Sequence, residues 1–151
     1  MDKGIYCLVL KTSGCTTRVG ALGELPLQAG WYIYVGSALG SGGLQRLGRH
    51  ISLARLRNKQ PKWHVDYLLT SRSFFLEYAV YAISADRLEC RIARELNGSS
   101  IPDFGCSDCS CTSHLLYREE DPVQELLATF HTFELDPVIK TMINEQVQHN
   151  I

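Results

Sequence analysis

The sequence predicts a single α/β domain of the α+β kind, in which a small, mostly antiparallel central sheet is flanked by helices. A chain of 151 residues can bury one substantial core but is short for two domains. Hydrophobic residues make up 45% of the chain and charged residues 21%, which is ordinary for a globular protein. Segments of strand composition alternate with segments of helical periodicity. We therefore assign a core to about 4–118 and a helical, acidic C-terminal extension to about 119–151.

The predicted strands are rich in β-branched and aromatic residues. The two strongest are "GIYCLVLKT" and "WYIYVGSA", and "RVGALGELPLQAG" between them indicates a short strand and a turn. "WHVDYLLT" and "FLEYAVYAI" predict two more strands. In chain order, these segments are 4–12, 18–30, 31–38, 63–70 and 75–83.

Helical periodicity marks the remaining segments. The first predicted helix repeats apolar side chains at intervals of three and four residues, which gives it one face toward the core. Ser84 or Asp86 is a suitable N-cap for the second, and Gly98 follows its end. An Asp-Pro pair and a later proline predict the starts of two further helices. The four predicted helices are 43–59, 84–98, 121–134 and 137–148.

Charge is unevenly distributed along the chain. The formal net charge is −1, yet no Asp or Glu occurs from Leu25 to Val65, where six Arg and Lys residues fall. Residues 119–145 instead carry seven acidic side chains against one lysine. A local basic patch is enough to attract phosphate, which favours a nucleic-acid partner. The acidic segment is a candidate docking site for a protein partner.

The N-terminus "MDKGIYCLVL" lacks the basic start and the small-residue cleavage site of a signal peptide. No apolar run in the sequence is long enough to cross a membrane. We therefore expect a cytoplasmic protein with no membrane partner and with reduced thiols.

One face of the first predicted helix is basic. In a regular helix Arg46, His50 and Arg57 lie within a narrow angle of one another, with Arg49 beside them. A solvated surface explains this face, and so does an anion-binding site. The preceding turn favours the second explanation, because its glycines let the backbone approach a ligand closely. The candidate nucleic-acid contacts are Ser37, Gly43, Arg49, Arg57, Lys59 and Lys62.

Glu89 lies on the apolar side of the second predicted helix, in line with Ile92, Ala93 and Leu96. A carboxylate there needs a partner, since burying it unpaired is costly. An arginine would be a structural partner, and a divalent cation would be a functional one.

Four short motifs follow one another along about two thirds of the chain. They are "GIY" at 4–6, "YVG" at 34–36, "RLGRH" at 46–50 and "LECRIARELN" on the second predicted helix. In this order, on strand, strand, helix and helix, they resemble the motifs of the GIY-YIG nuclease superfamily. Together with "GWYIYVGSALGSGGLQRLGRH" and "FGCSDCSCTSHLLY", they resemble a less-characterised prokaryotic GIY-YIG-like branch described as a domain of unknown function. Residues 7–33 make a longer gap between the first two motifs than is usual there.

The resemblance implies a metal-dependent endonuclease that hydrolyses phosphodiester bonds in DNA, in repair or in the processing of DNA structures. Tyr6 and Tyr34 match the signature tyrosines, one of which helps to deprotonate the attacking water. Arg46 matches the arginine that holds the scissile phosphate, and His50 matches a histidine often found one turn later. Glu89 matches the carboxylate that binds Mg²⁺ or Mn²⁺.

A cluster of cysteines follows the second predicted helix. Cys106, Cys109, Cys111 and His114 have the spacing C-x2-C-x-C-x2-H, which offers four zinc ligands within nine residues. Cys90 could replace one of them if this loop packs on the neighbouring helix. A structural Zn²⁺ is one interpretation, and reduced loop thiols beside a core histidine are the other.

His64 and Asp66 alternate along the strand predicted over 63–70, so their side chains would point the same way. A solvent-facing pair is the preferred interpretation. A place for His64 in the phosphate site is the alternative.

Three functions are compatible with these patterns: a metal-dependent endonuclease, a non-catalytic nucleic-acid-binding module, and a zinc-stabilised protein-interaction domain. Retention of Tyr6, Tyr34, Arg46 and Glu89 favours the first over the second, since binding alone does not require Glu89. The third explains the cysteines but not the glycine-rich turn and the basic helix.

Overall fold

The structure is a computed structural model that describes residues 2–96, 98–105 and 113–142. Its strands are β1 (Gly4–Thr12), β2 (Cys15–Arg18), β3 (Glu24–Leu27), β4 (Gly30–Ala38), β5 (Phe74–Ile83), β6 (Leu115–Arg118) and β7 (Val138–Thr141). Its helices are α1 (Gln45–Leu56), α2 (His64–Leu69), α3 (Glu89–Leu96) and α4 (Val123–Thr132), with a 3₁₀ turn at Gly20–Leu22.

The main sheet has the strand order β6-β4-β1-β5-β7, and each neighbouring pair is antiparallel. β1 lies at its centre, and every residue of that strand except Lys11 is buried. A strand covered on both faces needs an almost continuous apolar run, which "GIYCLVL" supplies. The predicted α+β fold, a mostly antiparallel sheet flanked by helices, is confirmed.

A hairpin of β2 and β3 occupies the long gap between the first two sequence motifs and forms a small sheet of its own. Because the insertion folds separately, β1 and β4 still pair directly. Tyr6 lies opposite Gly36, and Leu8 lies opposite Tyr34. The two tyrosine-bearing strands are therefore neighbours despite their separation in sequence.

The main sheet has an apolar core on each face, as the alternation of side chains along a strand requires. Tyr6 and Leu8 belong to the core that includes Leu47 of α1 and side chains of α2. Val9 belongs to the core that includes Ile92 of α3 and side chains of α4. The site described below lies where elements of both layers meet.

The segment 63–70, predicted as a strand, contains the helix α2. The Asp66 carboxylate accepts the backbone N–H groups of Lys62 and Trp63, which closes the first turn in the manner of a helix cap. The strand prediction is wrong because it gave more weight to composition than to apolar spacing. The buried side chains of α2 recur at helical intervals: Val65, Leu68 and Leu69.

Two further predictions differ from the structure. The second predicted helix begins at Glu89, not at Ser84 or Asp86, because the Ser84 hydroxyl accepts the N–H of Asp86 in a local turn. The chain after Pro137 forms β7, which pairs with β5 instead of starting a helix. The end of that predicted helix, 143–148, lies outside the described residues.

No helix in the described part of the chain combines the length and the apolar character that a membrane crossing requires.

The helix α4 belongs to the core, so its removal from the sheet should be costly. Phe130 is fully buried in the core shared by α3 and α4. We expect Phe130→Ala to lower the free energy of unfolding by about 3–5 kcal/mol, measured by urea denaturation. Gln124→Ala, an exposed position on the same helix, should change it by less than about 0.5 kcal/mol. A loss below about 1 kcal/mol for Phe130→Ala would contradict this packing.

Candidate active site

A cavity of about 370 Å³ lies between β1, β4, α1, α2 and the first turn of α3. The residues that the sequence analysis assigned to catalysis all line it: Tyr6, Tyr34, Arg46, His50 and Glu89. Ser37, Lys62 and His114, predicted for other roles, line it as well. Residues from the N-terminal half of the chain and from the start of α3 therefore line one partly open cavity.

Gly36 is required by the position of the Tyr6 ring. The two residues face each other across the β1–β4 ladder. A Cβ atom at Gly36 would lie 2.6 Å from both Cζ and the hydroxyl oxygen of Tyr6. The glycine of "YVG" thus leaves space for the tyrosine of "GIY", which explains from packing why these two short motifs occur together.

The Tyr6 hydroxyl lies 2.8 Å from His50 Nε2, and both side chains are buried. Burial raises the pKa of Tyr6 well above its ordinary value, and the nearby Arg46 and Arg49 offset only part of this effect. Burial likewise lowers the pKa of His50 to about 4. Near neutral pH the pair is therefore an uncharged phenol beside an uncharged imidazole.

Arg46 is held at the cavity wall by two contacts. Its Nη1 donates a hydrogen bond of 3.0 Å to the backbone carbonyl of Ser37, at the end of β4. Its guanidinium also lies 5.1 Å from the centre of the Trp63 ring, and the guanidinium of Arg49 lies at the same distance from that ring. A cation fixed in this way can meet an anionic group without reorganising.

Glu89 begins α3 and contributes a carboxylate to the cavity. Its Oε2 atom is buried and has no hydrogen-bond partner among the described residues. Buried carboxylate oxygens are normally satisfied, because an unpaired one costs free energy. An arginine was the structural partner considered for Glu89, and no arginine among the described residues bonds this oxygen.

The other predicted nucleic-acid contacts are dispersed around the cavity. Arg49, Lys59 and Lys62 line a second groove of about 390 Å³, which shares His50, Lys62 and Trp63 with the first. Gly43 is buried in the turn before α1 with φ +55°, a conformation that suits glycine.

Arg57 was expected to share the face of Arg46 and His50, and this prediction is wrong. The helix α1 ends at Leu56, and Arg57 has a left-handed backbone that turns the chain away. Its guanidinium donates to the carbonyl of Phe74 at 3.4 Å, on the C-terminal side of the helix. Arg57 lines neither the cavity nor the groove.

The comparison with protein families adds one finding to this geometry. Residues 5–135 match the family described as a domain of unknown function, DUF123. The chain belongs to this family. The expectation of a domain of unknown function is thereby confirmed. A search of the curated proteins found no match, and a search of the solved structures found none.

In this DUF123 chain, His64 and Asp66 do not form a solvent-facing pair. Asp66 is 4% exposed and lies with its carboxylate inside the protein. His64 lines the cavity, and its Nδ1 accepts the backbone N–H of Gly105 at 2.8 Å. The solvent-facing interpretation is wrong because it depended on a strand, in which alternate side chains share a face, whereas a helix separates them.

Two cavity residues were missed by the sequence analysis, Trp63 and Gly105. Trp63 follows a run of basic residues, and an aromatic side chain in such a run is a signal of cation–π contact. Gly105 has φ +73°, and a Cβ there would lie 3.3 Å from Tyr34 and 3.2 Å from His114. No local pattern indicates that contact, because it joins three distant segments.

Of the cysteine cluster, only His114 lies within the described residues, and Cys106, Cys109 and Cys111 lie outside them. His114 is buried, and its Nε2 lies 3.5 Å from Cys90 Sγ on α3. Cys90 is disulfide-bonded, so the expectation of reduced thiols is wrong for this cysteine. Within the described part of the chain, no three metal-ligating side chains form a group. The structural zinc stays a prediction.

The low pKa of His50 makes stability depend on pH. The folded state binds a proton at His50 only near pH 4, whereas the unfolded state binds it near pH 6.5. The unfolded state thus holds more protons between these values, and stability falls as the pH drops through this window. We expect the free energy of unfolding to fall by about 2 kcal/mol from this group between pH 7 and pH 5, measured by urea denaturation.

The control is a histidine without this environment. His50→Gln should remove most of the pH dependence, although His64, whose pKa burial also lowers, leaves a remainder. His131→Gln, at an exposed position on α4, should keep the wild-type slope. Equal slopes in His50→Gln and wild type would show that His50 is not buried in its neutral form.

Proposed function

We propose that this DUF123 chain is a metal-dependent endonuclease that hydrolyses phosphodiester bonds in DNA. One observation supports this above all others. Two tyrosines, an arginine, a histidine and a carboxylate from β1, β4, α1 and α3 line a single cavity. These are the residues that match the GIY-YIG motifs, so the resemblance and the geometry select the same set: Tyr6, Tyr34, Arg46, His50 and Glu89.

Arg46 is suited to bind the scissile phosphate. Hydrolysis of a phosphodiester needs an in-line water, a proton acceptor and positive charge where negative charge accumulates. Arg46 is already oriented by the Ser37 carbonyl, and Lys62 lines the same cavity. A phosphate bound by these two cations would lie in the cavity that both tyrosines line.

Glu89 is suited to hold a divalent cation. Its buried Oε2 has no partner in the described structure, and carboxylate oxygens are ligands of the type that Mg²⁺ and Mn²⁺ prefer. Mg²⁺ commonly uses one or two carboxylates together with substrate phosphate oxygens, so a single glutamate is sufficient on the protein side. When bound, such an ion supplies Lewis acidity to the phosphate and to the leaving oxygen.

Tyr6 and His50 are suited to move a proton. A buried phenol with a raised pKa accepts the proton of water only if its own proton passes on at the same time. His50 Nε2, 2.8 Å away and neutral, is placed to receive that proton. Tyr34 lies beside this pair, with its ring centre 6.4 Å from that of His50.

The groove beside the cavity is suited to guide the nucleic acid. Arg49, Lys59 and Lys62 line it, and the aromatic ring of Trp63 is 38% exposed. Cations attract the phosphate backbone, and an exposed aromatic ring offers a surface for stacking.

The alternative of a non-catalytic binding module uses the same groove but gives Glu89 no role. The alternative of an interaction domain uses the acidic C-terminal segment, in which Glu119 and Glu120 are exposed. Binding of DNA without cleavage in any metal would support the first alternative. Neither binding nor cleavage would support the second.

Cleavage by variants tests the proposed roles. The substrates are plain, branched and flapped DNA duplexes, each with Mg²⁺ or Mn²⁺. We expect Arg46→Ala to slow single-turnover cleavage by roughly a hundred- to a thousandfold, because one fixed cation contributes about 3–4 kcal/mol to the transition state. Glu89→Gln should abolish stimulation by the metal while DNA binding in the absence of metal persists.

Matched controls separate these roles from general effects. Glu95→Gln lies on the same helix at an exposed position and should cleave like the wild type. Arg55→Ala removes an exposed arginine of α1 that does not line the cavity. If Arg46→Ala or Glu89→Gln cleaved DNA at the wild-type rate, the role assigned to that residue would be refuted.

We also propose a structural zinc ion bound by the cysteine cluster and His114. The Sγ of Cys90, which is disulfide-bonded, lies 3.5 Å from His114 Nε2, so a sulfur atom and an imidazole meet in this region. Metal analysis of protein purified under reducing conditions should find one zinc per chain, and Cys109→Ser should lose it. Cys15→Ser, in the separate β2–β3 hairpin, should retain it. Protein without stoichiometric zinc, with reduced or oxidised thiols, would overturn this proposal.

A further inference from the structure

Three buried side chains from different elements are consecutive neighbours, and the first two of them line the cavity. Tyr6 comes from β1, His50 from α1 and Asp66 from α2. Their exposed fractions are 1%, 2% and 4%. Side chains of this polarity are rarely buried so completely without specific partners. Each of the three side chains therefore needs a specific donor or acceptor partner.

The two carboxylate oxygens of Asp66 have different partners. Oδ2 accepts the backbone N–H groups of Lys62 at 2.8 Å and of Trp63 at 3.0 Å. These bonds fix the carboxylate at the start of α2. Oδ1 is directed toward α1 and lies 4.0 Å from His50 Nδ1. One oxygen thus closes the helix, and the other faces the imidazole.

This separation is longer than a hydrogen bond, but the charge of the carboxylate favours one of the two neutral tautomers of His50. A neutral imidazole has one N–H donor and one bare acceptor nitrogen. The nitrogen that faces a carboxylate retains the proton, because a bare nitrogen would place two lone pairs opposite each other. The proton is then on Nδ1, and Nε2 is the acceptor for the Tyr6 hydroxyl 2.8 Å away. Arg46 and Arg49, the charged groups on the same helix as His50, oppose a positive charge on the ring.

We propose that Asp66 is a positioning residue of the nuclease site. It holds His50 in the Nδ1–H form, so that Nε2 is free to take the proton of Tyr6. This inference rests on the proposed function for its catalytic half, whereas the assignment of the tautomer stands independently. Asp66 lines the adjoining groove and not the cavity. Its Oδ2 holds the backbone of Lys62 and Trp63, and its Oδ1 acts on the reacting groups through His50.

An O–H bond of the attacking water breaks as its oxygen bonds to phosphorus, and that proton passes to the Tyr6 oxygen. The original Tyr6 proton passes to His50 Nε2. The imidazolium that forms is stabilised by the Asp66 carboxylate. The P–O bond to the leaving group breaks, and the leaving oxygen takes a proton from solvent.

Asp66→Asn separates the two functions of the carboxylate. The amide oxygen should take the place of Oδ2, because an amide nitrogen there would face two N–H donors. The amide nitrogen then points at His50 Nδ1 and requires an acceptor. The proton of the imidazole should therefore move to Nε2, which reverses the hydrogen bond with Tyr6 while the helix cap is kept.

The experiment is ¹⁵N NMR of the imidazole nitrogens in the labelled, metal-free protein, with His50 assigned from the spectrum of His50→Gln. We expect an Nδ1–H imidazole in the wild type and an Nε2–H imidazole in Asp66→Asn. Single-turnover cleavage of DNA should slow by roughly a hundred- to ten-thousandfold in Asp66→Asn, by analogy with a triad aspartate. DNA binding and the thermal midpoint should stay close to those of the wild type.

Asp121→Asn is the matched control. Asp121 accepts the N–H of Val123 at the start of α4 and lies away from the cavity. The same chemical change there should alter neither the His50 tautomer nor cleavage.

Each outcome is decisive. An Nε2–H imidazole in the wild type, or an unchanged tautomer in Asp66→Asn, would overturn the inference whatever the cleavage results. A changed tautomer with unchanged cleavage would overturn the catalytic role of Asp66. Failure of the wild type to cleave would overturn the proposed function and that catalytic role together, and the NMR result would still decide whether Asp66 orients His50.

Discussion

The direct antiparallel pairing of β1 with β4 is the constraint on which the candidate site depends. This register places Tyr6 opposite Gly36, and the missing side chain at Gly36 admits the tyrosine ring. The ring position then brings the hydroxyl within 2.8 Å of His50 on α1. A slip of one residue would turn Tyr6 to the opposite face of the sheet, where α3 and α4 pack. The β2–β3 hairpin preserves the register by folding as a separate sheet.

Burial gives the polar side chains of the site their chemical character. Tyr6 and His50 are kept uncharged mainly by desolvation, which outweighs Arg46 and Arg49 in setting the pKa of Tyr6 and outweighs Asp66 in setting the pKa of His50. Asp66 is stabilised in its buried position by two backbone donors. Glu89 differs from all three, because one of its oxygens is buried without a bond in the described structure. Among the described residues this is the one buried side-chain oxygen or nitrogen without a partner, which supports the cation that we propose at that place.

The basic groups are arranged around this uncharged centre and not within it. Arg46 and Arg49 pack on Trp63, and Lys59 and Lys62 border the adjoining groove. This separation suits the proposed function, since a polyanion would be drawn along the cations beside the uncharged pair. A chain with a net charge of −1 can have a local surface of this kind, because the positive charges are clustered.

The sequence by itself determined the strongest strands, the amphipathic face of α1 and the identity of five of the residues that line the cavity. These depend on composition, on periodicity and on short motifs, all of which are local. The tertiary structure decided that 63–70 folds as a helix, that Asp66 is buried, and that Arg57 turns away. Each of these depends on what packs against the segment. The contact of Asp66 with His50 joins α2 to α1, and no spacing along the chain encodes it. Local preferences therefore selected the residues, and long-range packing decided which of their atoms meet.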